Sequence, residues 1–158
     1  MKLWILYDTN FGNGKILAEF LKKEFSGDWE IKIGDVKEIS PSTVVKDTPD
    51  VLILGGAIRM FMGAPKSKKW LKQLNTELNL ANKEIEYGTL FLTHGLATGK
   101  IQGWCKRFLK KLEKAKRIVK PYPHLLTARV QDTEGPFIES ELEKAKEYIH
   151  EFAKWIES

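Results

Sequence analysis

Cysteine is almost absent from this 158-residue chain. Cys105 stands alone, so no intramolecular disulfide can staple the fold, and a reducing compartment is expected. Histidine is scarce as well, with three residues and no His/Cys spacing suited to a metal. No Ser/His/Asp constellation makes a case for nucleophilic catalysis. No apolar stretch approaches the roughly 20 residues that span a bilayer. The opening MKLWILYD has neither a long apolar core nor a small-residue cleavage site, so it reads as a first strand and not as a signal peptide. These absences predict a cytoplasmic protein with no membrane span. Internal repeats, low-complexity segments and linkers are also missing. At 42% hydrophobic residues the chain is long enough to bury its own core, which predicts one domain over 1–158.

The formal net charge is +5, and it is unevenly placed. Lys100 to Lys120 holds nine Lys/Arg against one acid, Glu113, whereas the tail from Asp132 onward is mostly acidic. The basic stretch carries no helix-turn-helix, zinc or RNA-binding signature, so a nucleic-acid partner is not expected. Two readings stay open: the solvated face of a helix, or a docking surface for an acidic partner.

Apolar runs alternate with helical patterns along the chain. Lys2–Tyr7 (KLWILY) reads as a buried strand, and Ile16–Phe25 as a helix that Ser26-Gly27 ends. Glu30–Ile33 is a short strand, and a short helix can follow Pro41. Val51–Leu54 (VLIL) is a buried strand with a glycine stop at Gly55-Gly56. Pro65 opens a helix to about Asn79, Thr89–Thr93 (TLFLT) is a strand, and Lys100–Lys116 is a helix. Leu125–Val130 is the fifth strand, and Ile138–Glu157 closes the chain as a helix. Five strands alternating with helices, the strongest strands being continuous apolar runs, predict an α/β domain whose parallel sheet is covered on both faces.

Three loops then leave the sheet at one edge: Thr9–Gly14, Gly55–Gly63 and His94–Gly103, each rich in glycine. In such sheets ligands sit at the carboxyl ends of the strands, and glycine lets backbone approach them closely. The first loop, within DTNFGNGK, leads into a helix N-terminus, whose free N–H groups suit a phosphate. It is neither a Walker A loop, since Ile16 follows Gly14-Lys15, nor a dinucleotide fingerprint, since Leu17 stands where the third glycine is needed. A receiver domain needs an aspartate at the end of the third strand, where this chain has glycine.

YDTNFGNGKILAEFL resembles the phosphate loop of the flavodoxins, DVLILGGAIRMFMGAP their second loop, and TLFLTHGLATGKIQGW their third. The resemblance covers essentially the whole chain, and the unbroken fifth strand, Leu125–Val130, resembles the short-chain type. It implies a flavodoxin-like three-layer α/β/α sandwich with a five-stranded parallel sheet of order 2-1-3-4-5. It also implies FMN, held non-covalently. Carried over by position, Thr9, Asn10, Phe11, Gly12, Asn13 and Gly14 match the phosphate loop. Ala57, Ile58, Arg59, Met60, Phe61 and Met62 match the first flavin loop, and Thr93, His94, Gly95, Leu96, Ala97, Thr98 and Gly99 the second. The implied role is electron transfer with a redox protein partner, the chain being a monomer or weak dimer; the basic charge of this chain, not the resemblance, is what points to an acidic docking surface on that partner.

The chain departs from the family in its basic charge, where electron-carrier flavodoxins are generally acidic, and at three positions. Gly14 replaces the usual final threonine, Phe11 replaces a hydroxyl residue, and Leu96 stands where an aromatic residue often stacks on the flavin. Met60, Phe61 or Met62 could shield the ring instead. Arg59, followed by Lys66, Lys68 and Lys69, would stabilise a reduced, anionic flavin on Coulomb grounds. GAIR also resembles a flavodoxin-like branch that oxidises protoporphyrinogen with a quinone acceptor, so an FMN-dependent oxidoreductase is one alternative. A module that has lost FMN is the other. His94 reads as a loop donor or packing residue more than as a catalyst, Cys105 as a small core residue, and Trp104 as core.

Overall fold

In a computed structural model describing residues 1–25, 27–59 and 61–158, the N-terminal apolar run forms β1 (Lys2–Tyr7). It lies between β2 (Glu30–Asp35) and β3 (Val51–Arg59), parallel to both. A two-residue return strand, β4 (Met62–Gly63), folds antiparallel onto the end of β3. Along the other side of β3 runs β5 (Ile85–His94), parallel from Val51 beside Tyr87 to Ala57 beside Thr93. Two segments share the far edge of β5: β6 (Ile118–Pro121) and β7 (Leu126–Arg129). The spatial order is β2-β1-β3-β5-β6, the expected 2-1-3-4-5 once the small β4 is set aside.

Five helices cover the sheet: α1 (Asn13–Glu24), α2 (Pro41–Asp47), α3 (Pro65–Ala81), α4 (Gln102–Lys114) and α5 (Glu139–Glu157). Successive strand residues point to opposite faces, so each apolar run feeds two cores. Leu3, Ile5, Val51, Ile53 and Phe91 meet Leu17 and Leu21 of α1 and Ile149, Phe152 and Ile156 of α5. Trp4, Leu6, Leu52, Leu54, Leu90 and Leu92 meet Val44 of α2, Trp70, Leu71 and Leu74 of α3, and Phe108 and Leu112 of α4. A sheet buried on both sides is what continuous apolar strands require.

Three sequence expectations need correction. The glycine stop at Gly55-Gly56 is instead strand interior, because β3 runs on to Arg59. These glycines serve close packing. A Cβ on Gly55 would stand 1.9 Å from the ring of Phe91, and one on Gly56 would stand 2.3 Å from the Cβ of Ala64. Among the described residues the expected five strands are seven. The fifth position, read as unbroken from Leu125 to Val130, begins at Ile118 and is interrupted between Pro121 and Leu126. There Tyr122 turns inward against Phe152 and Trp155 of α5. The fourth helix is shorter than Lys100–Lys116, because Thr98–Lys100 forms a separate 3₁₀ turn before it. The helix stop at Ser26 lies outside the described residues, as does the flavin contact placed on Met60.

Candidate functional site

At the carboxyl edge of the sheet, β1 ends in Asp8, whose carboxylate is 1% exposed. Thr9 follows, and its Oγ1 accepts hydrogen bonds from the amides of Gly12 at 2.9 Å and Gly14 at 3.4 Å. This folds the loop back so that α1 starts at Asn13. Gly12 takes a left-handed conformation there (φ 90°), which residues with a side chain rarely adopt. The first turn of α1 has no acidic side chain, and its N-cap residue supplies no capping hydrogen bond. Thr9 Oγ1 already takes the Gly12 and Gly14 amides, so among the described residues the first-turn amides of Asn13 and Lys15 are the ones left for an anion.

A cleft of about 620 Å³ opens over this loop. It is lined by Thr9, Asn10, Phe11 and Asn13 from the first loop and Ala57, Ile58 and Arg59 from the second. The third loop adds Thr93 and Gly95. Gln131, Asp132 and Thr133, which follow β7, form a fourth wall that was not anticipated from the sequence. Asn13 ties it in place, its Nδ2 donating to the carbonyl of Thr133 at 2.9 Å. The signal was available: Asp132-Thr133-Glu134-Gly135 is a turn-forming run after the last strand, so it emerges at the same edge.

Gly12 and Gly14 do not line the cleft; their amides hold the first loop to Thr9. Phe61, 78% exposed, sits on the turn between β3 and β4, and Met62, 56% exposed, opens β4; neither lines the cleft. Leu96, Ala97, Thr98 and Gly99 also stand outside the lining. His94 is buried, with Nδ1 bonded to the carbonyl of Leu96 at 2.9 Å and Nε2 without a partner. Burial holds its imidazole below the ordinary histidine range, which favours the neutral ring. Trp104 packs over Gly63, where a Cβ would come within 2.5 Å of the indole. Cys105 is buried, and desolvation pushes its thiol up.

The electrostatic centre of the site is a pair that sequence reading missed. Arg59 Nη1 meets Asp8 Oδ2 at 3.3 Å, tying the second loop to the end of β1. Lys37 approaches the other carboxylate oxygen at 3.8 Å and donates to the carbonyl of Thr9 at 2.6 Å. Arg59 is thus no free cation over the cleft, since a buried carboxylate balances it. Among the described residues four buried polar atoms at the site lack hydrogen-bond partners: Asp8 Oδ1, Asn13 Oδ1, Arg59 Nη2 and His94 Nε2. Arg59 Nη2 and Asn13 Oδ1 belong to cleft-lining residues and are a donor and an acceptor of the kind a polar ligand satisfies.

No family model and no curated protein matches the sequence. Solved structures do match. Flavodoxin 1 from Bacillus cereus superposes with a TM-score of 0.71 at 17% identity, over 98% of each chain. The fold is flavodoxin-like. A flavodoxin from the domain Archaea covers all of both chains at a TM-score of 0.60 and 12% identity. Rubredoxin oxygen:oxidoreductase from Desulfovibrio gigas matches 99% of this chain with 36% of its own, at 0.70 and 16%. A flavodoxin-like fold thus also occurs inside a larger enzyme. In the flavodoxin-like frame the cleft lies where the chain order of the strands reverses, with β1 between β2 and β3.

Proposed function

We propose that this chain binds FMN non-covalently in the cleft at the carboxyl ends of β1, β3 and β5, and that it carries electrons to and from a redox protein in the cytoplasm. One observation carries the reading. Three glycine-containing loops converge on a single cleft whose floor is a helix N-terminus without an acidic first-turn residue. Its volume falls within the roughly 300–1,000 Å³ of cofactor-sized sites.

The residues present fit the group. The first-turn amides of Asn13 and Lys15, with the Asn10 side chain, would hold the phosphate, in a loop that Thr9 folds through the Gly12 and Gly14 amides. Gly14 lacks the expected hydroxyl, and a Cβ there would come within 3.2 Å of the Asp8 carbonyl and 3.4 Å of Thr9, so this loop is built for a smaller residue. Ala57, Ile58 and Phe11 offer apolar surface to a flat ring. Arg59 Nη2 and Asn13 Oδ1 supply the unpaired polar atoms. When bound, FMN supplies the one- and two-electron chemistry, while the protein positions the ring, limits water access and sets the local charge.

No described helix is long and apolar enough to cross a membrane. Among the described residues no group of His, Cys, Asp and Glu is arranged to hold a metal. The test is titration of the apoprotein against FMN fluorescence. Saturable one-to-one quenching is expected, with riboflavin at least about tenfold weaker because it lacks the phosphate held at the helix end. Absence of quenching would leave only the fold. Turnover of a porphyrinogen with a quinone, without any protein partner, would favour the enzyme over the carrier.

A further inference from the structure

The helices on one face of the sheet carry a second feature, remote in sequence from the cleft residues. Lys68 and Lys72 sit one turn apart on α3, and Arg107, Lys111 and Lys114 follow one another along α4. Lys68, Lys72, Lys111 and Lys114 line a trough of about 400 Å³ between the two helices, with Asn75 and Thr76 beside them and Leu71 and Ala115 as its floor. The helices contain two acids between them, Glu77 and Glu113, and neither lines the trough. Among the described residues none of these five cations pairs with a carboxylate. Some cations elsewhere do pair, such as Lys120 with Glu86 and Lys144 with Glu141, and what sets the trough apart is that four of its cations converge on one concave surface.

These cations burden one another. Burial pushes the ammonium of Lys68 below the ordinary lysine range, and the charges of Arg107 and Lys111 add to the effect. An anionic occupant would relieve that repulsion. Helix α5, which covers the opposite face of the sheet, carries six glutamates against three lysines, so the molecule is polarised across its sheet.

We propose that the α3–α4 trough is a docking site for an acidic segment of a protein partner, whose carboxylates engage Lys68, Lys72, Lys111 and Lys114 while an apolar side chain rests on Leu71 and Ala115. The trough runs from Lys68 to Thr76, about 12 Å at the rise of an α-helix. That matches about four residues of extended chain. No aromatic side chain lines it, so it offers no platform on which bases could stack. The docking site does not depend on FMN. It adds a second contact region on helices that begin beside the second and third loops.

The probe is a short fluorescein-labelled peptide alternating glutamate with leucine, followed by anisotropy at low ionic strength. Saturable binding that weakens as salt rises is expected. Lys68→Gln with Lys111→Gln should weaken it about tenfold, and Lys68→Arg with Lys111→Arg should retain it. Lys22→Gln with Lys23→Gln removes the same charge from α1 and should change binding less than about twofold. FMN affinity, measured in the same variants, should not move, which separates failure here from failure of the flavin reading. Equal losses in the trough and α1 variants would reduce the effect to net charge and overturn the proposal. So would tighter binding of single-stranded oligothymidylate through the same lysines, or complete displacement of the peptide by inorganic phosphate at equal ionic strength.

Discussion

Asp8 and Arg59 offer the sharpest test of the site, because their pairing joins two loops before any ligand arrives. The perturbation is a double-mutant cycle of Asp8→Asn, Arg59→Gln and the combination. At 3.3 Å and an effective dielectric of about 20, the gross Coulomb attraction is about 5 kcal/mol. Desolvation offsets much of it: the Asp8 side chain is 1% exposed and that of Arg59 is 25% exposed. Removing Arg59 leaves a buried carboxylate with Lys37 at 3.8 Å as its remaining cation, so that single variant should cost about 3 kcal/mol. Asp8→Asn leaves Lys37 with Asp35 and Arg59, a quarter exposed, without its carboxylate, and should cost about 1–2 kcal/mol. The double variant should cost less than the sum, with a coupling of about 1–3 kcal/mol. Urea denaturation of the apoprotein reads all four corners. Additivity within about 0.5 kcal/mol would show that the pair does not operate and would refute the argument. With FMN bound, Asp8→Asn should raise the midpoint potential, because it uncovers the Arg59 charge in the cleft.

Other positions give simpler tests. Gly55→Ala drives a methyl into the Phe91 ring and should lower stability by at least about 2 kcal/mol; an unchanged urea midpoint would contradict the packing. Thr9→Ala removes the acceptor for the Gly12 and Gly14 amides, and should cost about 1 kcal/mol and weaken FMN binding, with Thr9→Ser restoring both. His94 has a folded-state pKa below its unfolded one, so its contribution to stability is fully present above about pH 6.5 and lost as pH falls through the lower folded value. That pH dependence should be shallower in His94→Gln, and identical profiles would exclude His94 as its source. Cys105 is buried with a raised thiol pKa, so a thiol reagent at pH 8 should label it only as fast as the protein opens; fast labelling of the native state would contradict its burial.

The layered sheet was legible in the sequence because continuous apolar runs have few other ways to be buried. β1, β3 and β5 were visible as KLWILY, VLIL and TLFLT, and the loops after them follow from parallel connection alone. The ends of elements were less legible. Gly55-Gly56 looks like a stop, and only the Phe91 ring and Ala64 explain why glycine sits inside a strand. Ile118–Pro121 is a short segment that pairing with β5 alone makes a strand.

The site divides the same way. The loops Thr9–Gly14, Gly55–Gly63 and His94–Gly103 could be named from local composition, because turn formers and glycines mark where backbone meets a ligand, whereas single residues such as Thr93 came with the family resemblance. Composition could not show that Asp8 faces Arg59 across 51 positions, or that Asn13 reaches the carbonyl of Thr133 across 120. Nor could it show that lysines of α3 and α4 share one trough. The chain alone determined the layers and the edge where ligands would gather, since those depend on periodicity and burial between near neighbours, while the spatial order of the strands came only with the family resemblance. Charge pairing and cleft walls join residues distant in sequence, and only the packed tertiary structure decided which of them meet.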